Sequence, residues 1–336
     1  MMRPMAAPIV HNRDIEFEYG RVDRLSPLIR RVICRNPGPF TYTGTGTYIV
    51  GNGRVAVIDP GPALDAHLDA IVAALGPDEE ISHILVTHTH SDHSPGAAPL
   101  QARVGAPTYG YGPHGVVGPD DPNDKVDFSA YISAEERAAY EKEHEDLDPA
   151  LKREGPDLAF VPDERVDDGD VITDPAGGWS LEAVFTPGHC SNHLSFALRE
   201  ENILFPGDHV MAWATSVVGP PDGSMTDYLA SLRKLLPRTE TRYWPSHGPA
   251  VEDPGTYVRS FLAHREEREA QILAFFGERP ARIADLVPTM YAAYDKRLWY
   301  PAAASVYAHV LGMVGDGRLR VDGDGDPKLT STYRRD

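Results

Sequence analysis

Seven side chains in this sequence have the types and spacing to hold metal cations. Four are packed into six residues, His88-x-His90-x-Asp92-His93. Neutral imidazoles and carboxylates are zinc ligands, and a zinc site that performs chemistry keeps one position open for water. On a helix, residues two apart face opposite ways, so these four converge only on a loop. The other three stand apart: His189 in Thr186-Pro-Gly-His189, Asp208 in Phe205-Pro-Gly-Asp208, and His247 in Ser246-His-Gly248. Coordination lowers the pKa of bound water to about 7, and two cations about 3.5–4 Å apart hold both a nucleophile and the oxygen it generates. There is no Gly-x-Ser-x-Gly elbow to suggest a serine nucleophile instead.

The elements around these residues follow from pattern. Two β-branched runs flank Gly51-Asn52-Gly53, so residues 45–59 read as a hairpin. Leu64, Leu68, Ile71, Val72 and Leu75 recur at helical spacing, and Ile81–Thr87 reads as a buried strand. The histidine loop follows it, and a helix is expected over Ser94–Arg103. Ligands in open α/β sheets bind beyond the carboxyl ends of strands, where this loop lies. Strands are expected at Val166–Thr173, Ser180–Phe185, His193–Leu198, Asn202–Phe205 and Arg242–Trp244. Helices are expected at Met225–Leu236 and Pro254–Phe276. His189, Asp208 and His247 each fall just past a strand, so a sandwich of sheets would bring all seven to one edge. Beyond these, helices at Ala281–Met290 and Ala302–Val314 and a hairpin at Arg318–Val321 and Lys328–Tyr333 have winged-helix order.

Composition bounds the rest. The chain has 336 residues, 32 Lys+Arg against 50 Asp+Glu, and a net charge of −18. A body that acidic repels polyanions at long range, which disfavours nucleic acid as a partner. Half of that excess lies in one stretch: residues 112–165 carry 15 acidic and 6 basic residues, a balance of −9. This stretch reads as an insertion without a clear strand pattern, helical over Ser133–Leu147, and either a solvated excursion or a lid over the histidine loop. Two cysteines, Cys34 and Cys190, exclude a disulfide framework. Residues 1–10 hold no apolar signal core and no run is long enough to span a membrane, so a cytoplasmic location with no membrane partner is expected.

The motifs together resemble the metallo-β-lactamase-fold hydrolase superfamily. The matching residues are THTHSDH (87–93), TPGH (186–189), PGD (206–208) and SHG (246–248). The resemblance implies an αββα sandwich, with His88, His90 and His189 on a first metal, Asp92, His93 and His247 on a second, and Asp208 bridging. It implies two zinc ions, other divalent metals being alternatives, with Asp92 and Asp208 as the catalytic carboxylates beside a metal-bridging hydroxide. Segments 207–235, 244–254 and 264–273 further resemble the β-lactamase-like-protein-2 group, as does the winged-helix-like end. The expected division is 1–264 for the catalytic domain and 265–336 for the winged-helix-like domain. Cys190 departs from the resemblance, since relatives often carry Thr there. It is expected as a thiol beside the ligands, with metal binding or oxidation as the alternative.

The expected activity is hydrolysis of a small ester, thioester or lactone. Single-stranded RNA cleavage is the alternative, because animal members of the group are linked to it. A strand-tracking groove would draw on Arg30, Arg31 and Arg35, which are few. A winged-helix regulator is disfavoured, because Pro301–Val314 has no Lys, Arg, Asn or Gln and the wing Asp322-Gly-Asp-Gly-Asp326 is acidic. That unit is expected to pack on the catalytic domain or on a second copy of the chain. β-Lactam turnover is expected only as a side activity. His193 and His209 are candidates to support the ligands, His114 to contact substrate, and Met211 and Trp213 to line a pocket. His264 and Arg265 are expected to tie the long helix to the catalytic domain. His11, His67, His83, His144 and His309 are expected on the surface or in packing.

Overall fold

The computed structural model describes residues 9–115, 128, 131–145, 151, 155–277 and 279–336. Two sheets are stacked face to face. The first holds β1 (Val22–Arg24), β2 (Ile29–Ile33), β3 (Gly46–Val50), β4 (Arg54–Ile58), β5 (Glu80–Leu85), β6 (Thr108–Gly110) and β7 (Glu164–Arg165), in that order across the sheet. Neighbours are antiparallel up to β4 and parallel from β4 to β7. The second sheet runs β12 (Arg242–Tyr243), β11 (Ile203–Phe205), β10 (Leu194–Leu198), β9 (Trp179–Phe185), β8 (Val171–Asp174), with β11 and β12 parallel.

Strand periodicity assigns each side chain to a layer. Tyr48, Val50, Ala56 and Ile58 point into the space between the sheets, where they meet Trp179, Leu181, Ala183, Phe196, Leu198 and Phe205. The alternate residues Ile49, Val55 and Val57 face outward onto Leu68 and Ile71 of α1 (Asp65–Ala73) and Leu100 of α2 (Ala97–Val104). On the other flank Val184, Ala197 and Leu204 pack under α4 (Met225–Leu235) and the first half of α5 (Pro254–Phe275). The result is the expected helix–sheet–sheet–helix sandwich. Both faces of both sheets are covered, which is why these strands read as nearly continuous apolar runs.

Three expectations are corrected. β1 and β2 escape the apolar pattern because Arg30 and Arg31 interrupt it, yet both side chains are buried, at 6% and 4% exposure. Arg30 grips the Glu79 carboxylate through both terminal nitrogens, at 2.6 and 3.0 Å, and also donates to the Ala74 carbonyl. Arg31 pairs with Asp23 at 3.2 Å. Only Arg35 of the trio is exposed, so they form no strand-tracking groove. Next, the strand expected over Val166–Thr173 begins only at Val171, as β8. A turn closed by Asp170 onto the Asp167 N–H separates β7 from β8, and β7 gives the end of the insertion a strand after all. The rest of the insertion is described in part, as residues 112–115, Phe128, residues 131–133, α3 (Ala134–Glu145), Leu151 and residues 155–163. The lid reading rests on residues outside the described ones, as does the side chain of His144.

Finally, the boundary expected at 264/265 falls inside α5. This helix starts at a clear cap, Asp253 accepting from the Thr256 N–H with Pro254 in the first turn. It then serves two cores. Val258 and Phe261 belong to the sandwich flank, while Ile272 and Phe276 join α6 (Ile283–Met290), α7 (Trp299–Gly315) and Leu319 and Tyr333 from a small sheet. That sheet orders β13 (Ala281–Arg282), β15 (Thr332–Arg335) and β14 (Leu319–Val321). α7 lies against α4, with Ala308 buried in the sandwich-flank core. The C-terminal unit thus packs on the catalytic part, as expected.

One buried group sets a pH dependence. His67 sits with Nε2 2.8 Å from Thr47 Oγ1, and burial pushes its pKa from 6.5 down to about 4. Below pH 6.5 the unfolded chain therefore takes up a proton that the folded chain refuses. Stability is full above about 6.5, falls as pH drops towards about 4, and by linkage the loss reaches about 3 kcal/mol. Denaturant unfolding of the metal-free protein between pH 7 and 4 should show a shallower slope for His67→Gln. Equal slopes would contradict this.

Candidate metal centre

Every candidate ligand lies just past the carboxyl end of a strand. β4 and β5 are parallel neighbours, so Asp59, following β4, lies beside the loop that follows β5. That loop carries His88, His90, Asp92 and His93. The second sheet contributes His189 after β9, Asp208 after β11 and His247 after β12. The sheets are stitched at this edge by the Leu194 N–H donating to the Thr87 carbonyl and the Gly46 N–H to the Ser246 carbonyl. Tyr48 adds a brace from inside: its ring packs on Phe205 and its hydroxyl donates to the Pro245 carbonyl at 2.6 Å, two residues before His247.

All seven side chains converge. Among the described residues, three triples have donor atoms within 4.8 Å of one another: His88, His90 and His189; His88, His93 and Asp208; Asp92, His93 and His247. His90 Nδ1 lies 3.1 Å from His88 Nε2 and 2.9 Å from His189 Nε2. Asp92 Oδ2 lies 3.2 Å from His93 Nε2 and 3.1 Å from His247 Nε2. Asp208 Oδ2 sits between the groups, 3.8 Å from His189, 3.7 Å from His93 and 3.4 Å from His247. Ligands at about 2.1 Å around a tetrahedral zinc stand about 3.4 Å apart, so these separations suit cations at the foci. The buried atoms His93 Nε2, His247 Nε2 and Asp208 Oδ1 make no well-formed hydrogen bond, the two nitrogens meeting carboxylate oxygens at 3.1–3.7 Å, although burial without one is costly. The donor set fits metal binding on both counts.

The far nitrogens are held. His189 Nδ1 is 2.5 Å from the Val217 carbonyl, His247 Nδ1 3.3 Å from the Gly44 carbonyl, and His88 Nδ1 3.0 Å from Thr87 Oγ1. A proton donated from Nδ1 leaves the Nε2 lone pair facing the centre. Burial and the neighbouring imidazoles push His88 well down and His90 to about 3, so both are neutral, as ligands must be. His93 and His247 move the other way. Burial opposes their charge, but Asp92 and Asp208 outweigh it, raising His93 well up and His247 to about 10. Those carboxylates are held well below their usual range by the same pairing, against burial.

Sequence reasoning missed Asp59. It is fully buried, its Oδ2 2.9 Å from His93 Nδ1 and 3.0 Å from Ser246 Oγ, with Thr87 donating to it through both N–H and hydroxyl. Its φ of +51° is a left-handed conformation that costs a non-glycine residue about 1–2 kcal/mol. The signal was available: an acid at the end of a strand, ahead of Pro-Gly-Pro, beside the strand that launches the histidine loop. Asp59→Asn tolerates the backbone but turns an amide nitrogen towards these donors. It should weaken metal binding at the Asp92–His93–His247 group about 10–100-fold. A competition titration with a chromogenic chelator measures this, and unchanged affinity would refute it.

The remaining candidates divide. His193 supports the centre: its Nε2 accepts from the Asp208 N–H at 3.2 Å and its Nδ1 meets Thr186 Oγ1 at 2.9 Å. His209 instead packs on the Tyr228 ring, 4.7 Å away. Cys190 is no ligand. Its buried thiol, pushed well up by burial, donates to Asn192 Oδ1. Met211 is buried, while Trp213 is half-buried and stacks on Tyr42 at 5.0 Å. Arg265 ties the long helix down, donating to the Ser216 carbonyl one residue from Val217 and lying 5.2 Å over Tyr228. His114, expected near substrate, is nearly sealed, its side chain 4% exposed.

Comparison with known proteins identifies the family and the fold. Residues 42–247 match the metallo-beta-lactamase superfamily, and residues 283–327 match the beta-lactamase associated winged helix domain. A beta-lactamase-like protein 2 homolog of Caenorhabditis elegans is 30% identical over 76% of this chain and 74% of its own. An atrochrysone carboxyl ACP thioesterase of Paecilomyces divaricatus is 31% identical over 75% of this chain and 65% of its own. Among solved structures, a beta-lactamase domain protein from Burkholderia ambifaria superposes with a TM-score of 0.72 at 21% identity, over 96% of each chain. With its donors gathered at the rim of a four-layered sandwich, the chain belongs to the metallo-beta-lactamase superfamily and is a metal-dependent hydrolase with an appended winged-helix domain.

Proposed function

We propose that this chain is a dinuclear zinc hydrolase of small acyl compounds, with a thioester as the favoured substrate and an ester or lactone as the alternatives. The observation that carries the reading is the convergence of seven donors, with three buried atoms among them in no well-formed hydrogen bond. His88, His90 and His189 would hold one cation, Asp92, His93 and His247 the other, and Asp208 both. Imidazole with carboxylate suits zinc, and also iron or manganese. When bound, such a pair supplies a water acidified to near neutral pH and an electrophile for the substrate carbonyl oxygen.

The chain's own groups do the rest. Asp92 is 23% exposed, so it stands where solvent and substrate arrive, and with Asp208 it orients the attacking water. Thr45 Oγ1, 3.5 Å from Asp92 Oδ2, helps to hold that carboxylate. Trp213 and Tyr42 offer an aromatic surface beside Gly248, the neighbour of His247. The thioesterase named among the relatives supports acyl transfer to water. RNA cleavage loses its proposed groove, since Arg30 and Arg31 are spent on internal ion pairs. A cytoplasmic location is proposed with it: Cys34 and Cys190 are buried and unpaired, and no described helix is long and apolar enough to cross a membrane.

The test is a panel with zinc-replete protein: a short acyl thioester read by thiol release, p-nitrophenyl acetate, a lactone and single-stranded RNA, each beside His90→Ala. Thioester turnover by the wild type and not by the variant is expected. No acyl substrate turned over, or equal turnover by both proteins, would refute the proposal.

A further inference from the structure

The insertion begins against the metal loop, and four polar side chains at that junction form a directed chain. Asn192, three residues past His189, has its amide orientation set by the Cys190 thiol, which donates to Oδ1 at 3.3 Å. Its Nδ2 then donates to Thr89 Oγ1 at 2.9 Å and to the carbonyls of Gly112 and Pro113, both at 3.2 Å. Thr89 stands between His88 and His90 and is 1% exposed. Its Oγ1 lies 2.9 Å from His114 Nδ1. Since Thr89 Oγ1 accepts from Asn192, its own hydroxyl proton is free to point at His114 Nδ1. The His114 proton then sits on Nε2, facing Asp222 Oδ2 at 3.7 Å. The same Asp222 oxygen accepts from the Ser191 N–H at 2.8 Å.

The hydrogen-bonded chain ends at His114, and a longer polar contact of 3.7 Å to Asp222 leads back towards the His189 loop. The path leaves the His189 loop at Asn192, crosses the His88–His90 loop at Thr89, reaches the insertion at His114, and by that longer contact returns through Asp222 to Ser191. The junction is tight: a Cβ on Gly115 would stand 1.9 Å from Ser191 Oγ and 2.6 Å from Asp222 Oδ1. The three imidazoles of one metal group come from the two loops that this chain binds together. None of the four side chains reaches the centre.

We propose that His114 is a positioning residue for the His88–His90–His189 group, fixing the spacing of its two loops through Thr89 and Asp222. The inference rests on the dinuclear reading above. It gives the insertion a role at its root that needs no closure over substrate, and it predicts a defect confined to one metal.

Cobalt titration tests it, read by bound metal per chain and by visible absorption rather than by turnover. Wild type should bind two Co2+. His114→Ala should bind one at unchanged affinity and the other about 10–100-fold more weakly, with the spectrum of that site altered. His114→Asn places an amide where Nδ1 was, keeps the bond to Thr89, and should recover most of the affinity. His114→Gln, which reaches only the Nε2 position, should not. Gly115→Ala should resemble His114→Ala. Thr89→Val combined with His114→Ala should be no worse than either alone, because both cut the same chain. Two unaltered cobalt sites in His114→Ala, equal loss at both sites, or no distinction between Asn and Gln would overturn the proposal. A wild type that binds no cobalt would overturn the dinuclear reading itself, and this inference with it.

Discussion

Asp208→Ala is expected to lower kcat/KM for the substrate turned over by at least about 1,000-fold, equivalent to about 4 kcal/mol of transition-state stabilisation. Its carboxylate lies within 4 Å of His189 on one side and of His93 and His247 on the other. Removing it leaves both proposed ligand sets incomplete and takes the nearby carboxylate away from His189, while His93 and His247 keep Asp92. Bound zinc should fall from about two per chain to one or fewer. Asp208→Asn keeps the volume and loses the charge, so it should be nearly as impaired, which separates electrostatics from packing. Steady-state kinetics with elemental analysis decide the matter, and wild-type kcat/KM in Asp208→Ala would refute the role.

Metal removal should have the largest effect on stability. Seven donors are held together in the folded chain and scattered in the unfolded one, so metal binds the native state. At a free concentration about 1,000 times Kd, each site adds about 4 kcal/mol. For 336 residues, at about 2.1 cal/mol/K of unfolding entropy per residue, each kcal/mol is worth about 1.4 °C, so two sites raise the unfolding temperature by roughly 10 °C. Dialysis against EDTA should lower the calorimetric midpoint by that order and abolish turnover, and added zinc should restore both. An unchanged midpoint after demonstrated loss of metal would show that the seven residues do not form the site.

The centre was legible in the sequence because its residues follow strand ends and are punctuated by Pro-Gly or Ser-x-Gly. A sandwich leaves such residues only one edge to occupy. The fold was legible for a related reason: Val, Ile and Leu runs mark strands buried on both faces. The same criterion failed at β2, where Arg30 and Arg31 sit inside. An arginine can be buried when a carboxylate meets it, and Glu79 is 49 residues away in the chain. Asp59 was passed over for a similar reason. Its role is defined by His93, Thr87 and Ser246, and none of these is its sequence neighbour. His114 was noticed as a histidine, but its partners, Thr89 and Asp222, lie 25 residues before it and 108 after.

Because α5 serves two cores, the chain cannot be cut between its two parts without cost. Cleavage after His264 would remove Arg265, the guanidinium that holds the Ser216 carbonyl, and with it the anchor of the peptide that orients His189. It would also bare Val258 and Phe261 at the stump of a severed helix. The catalytic half and its tail are therefore not interchangeable modules: a graft at this point must also rebuild the support beneath His189.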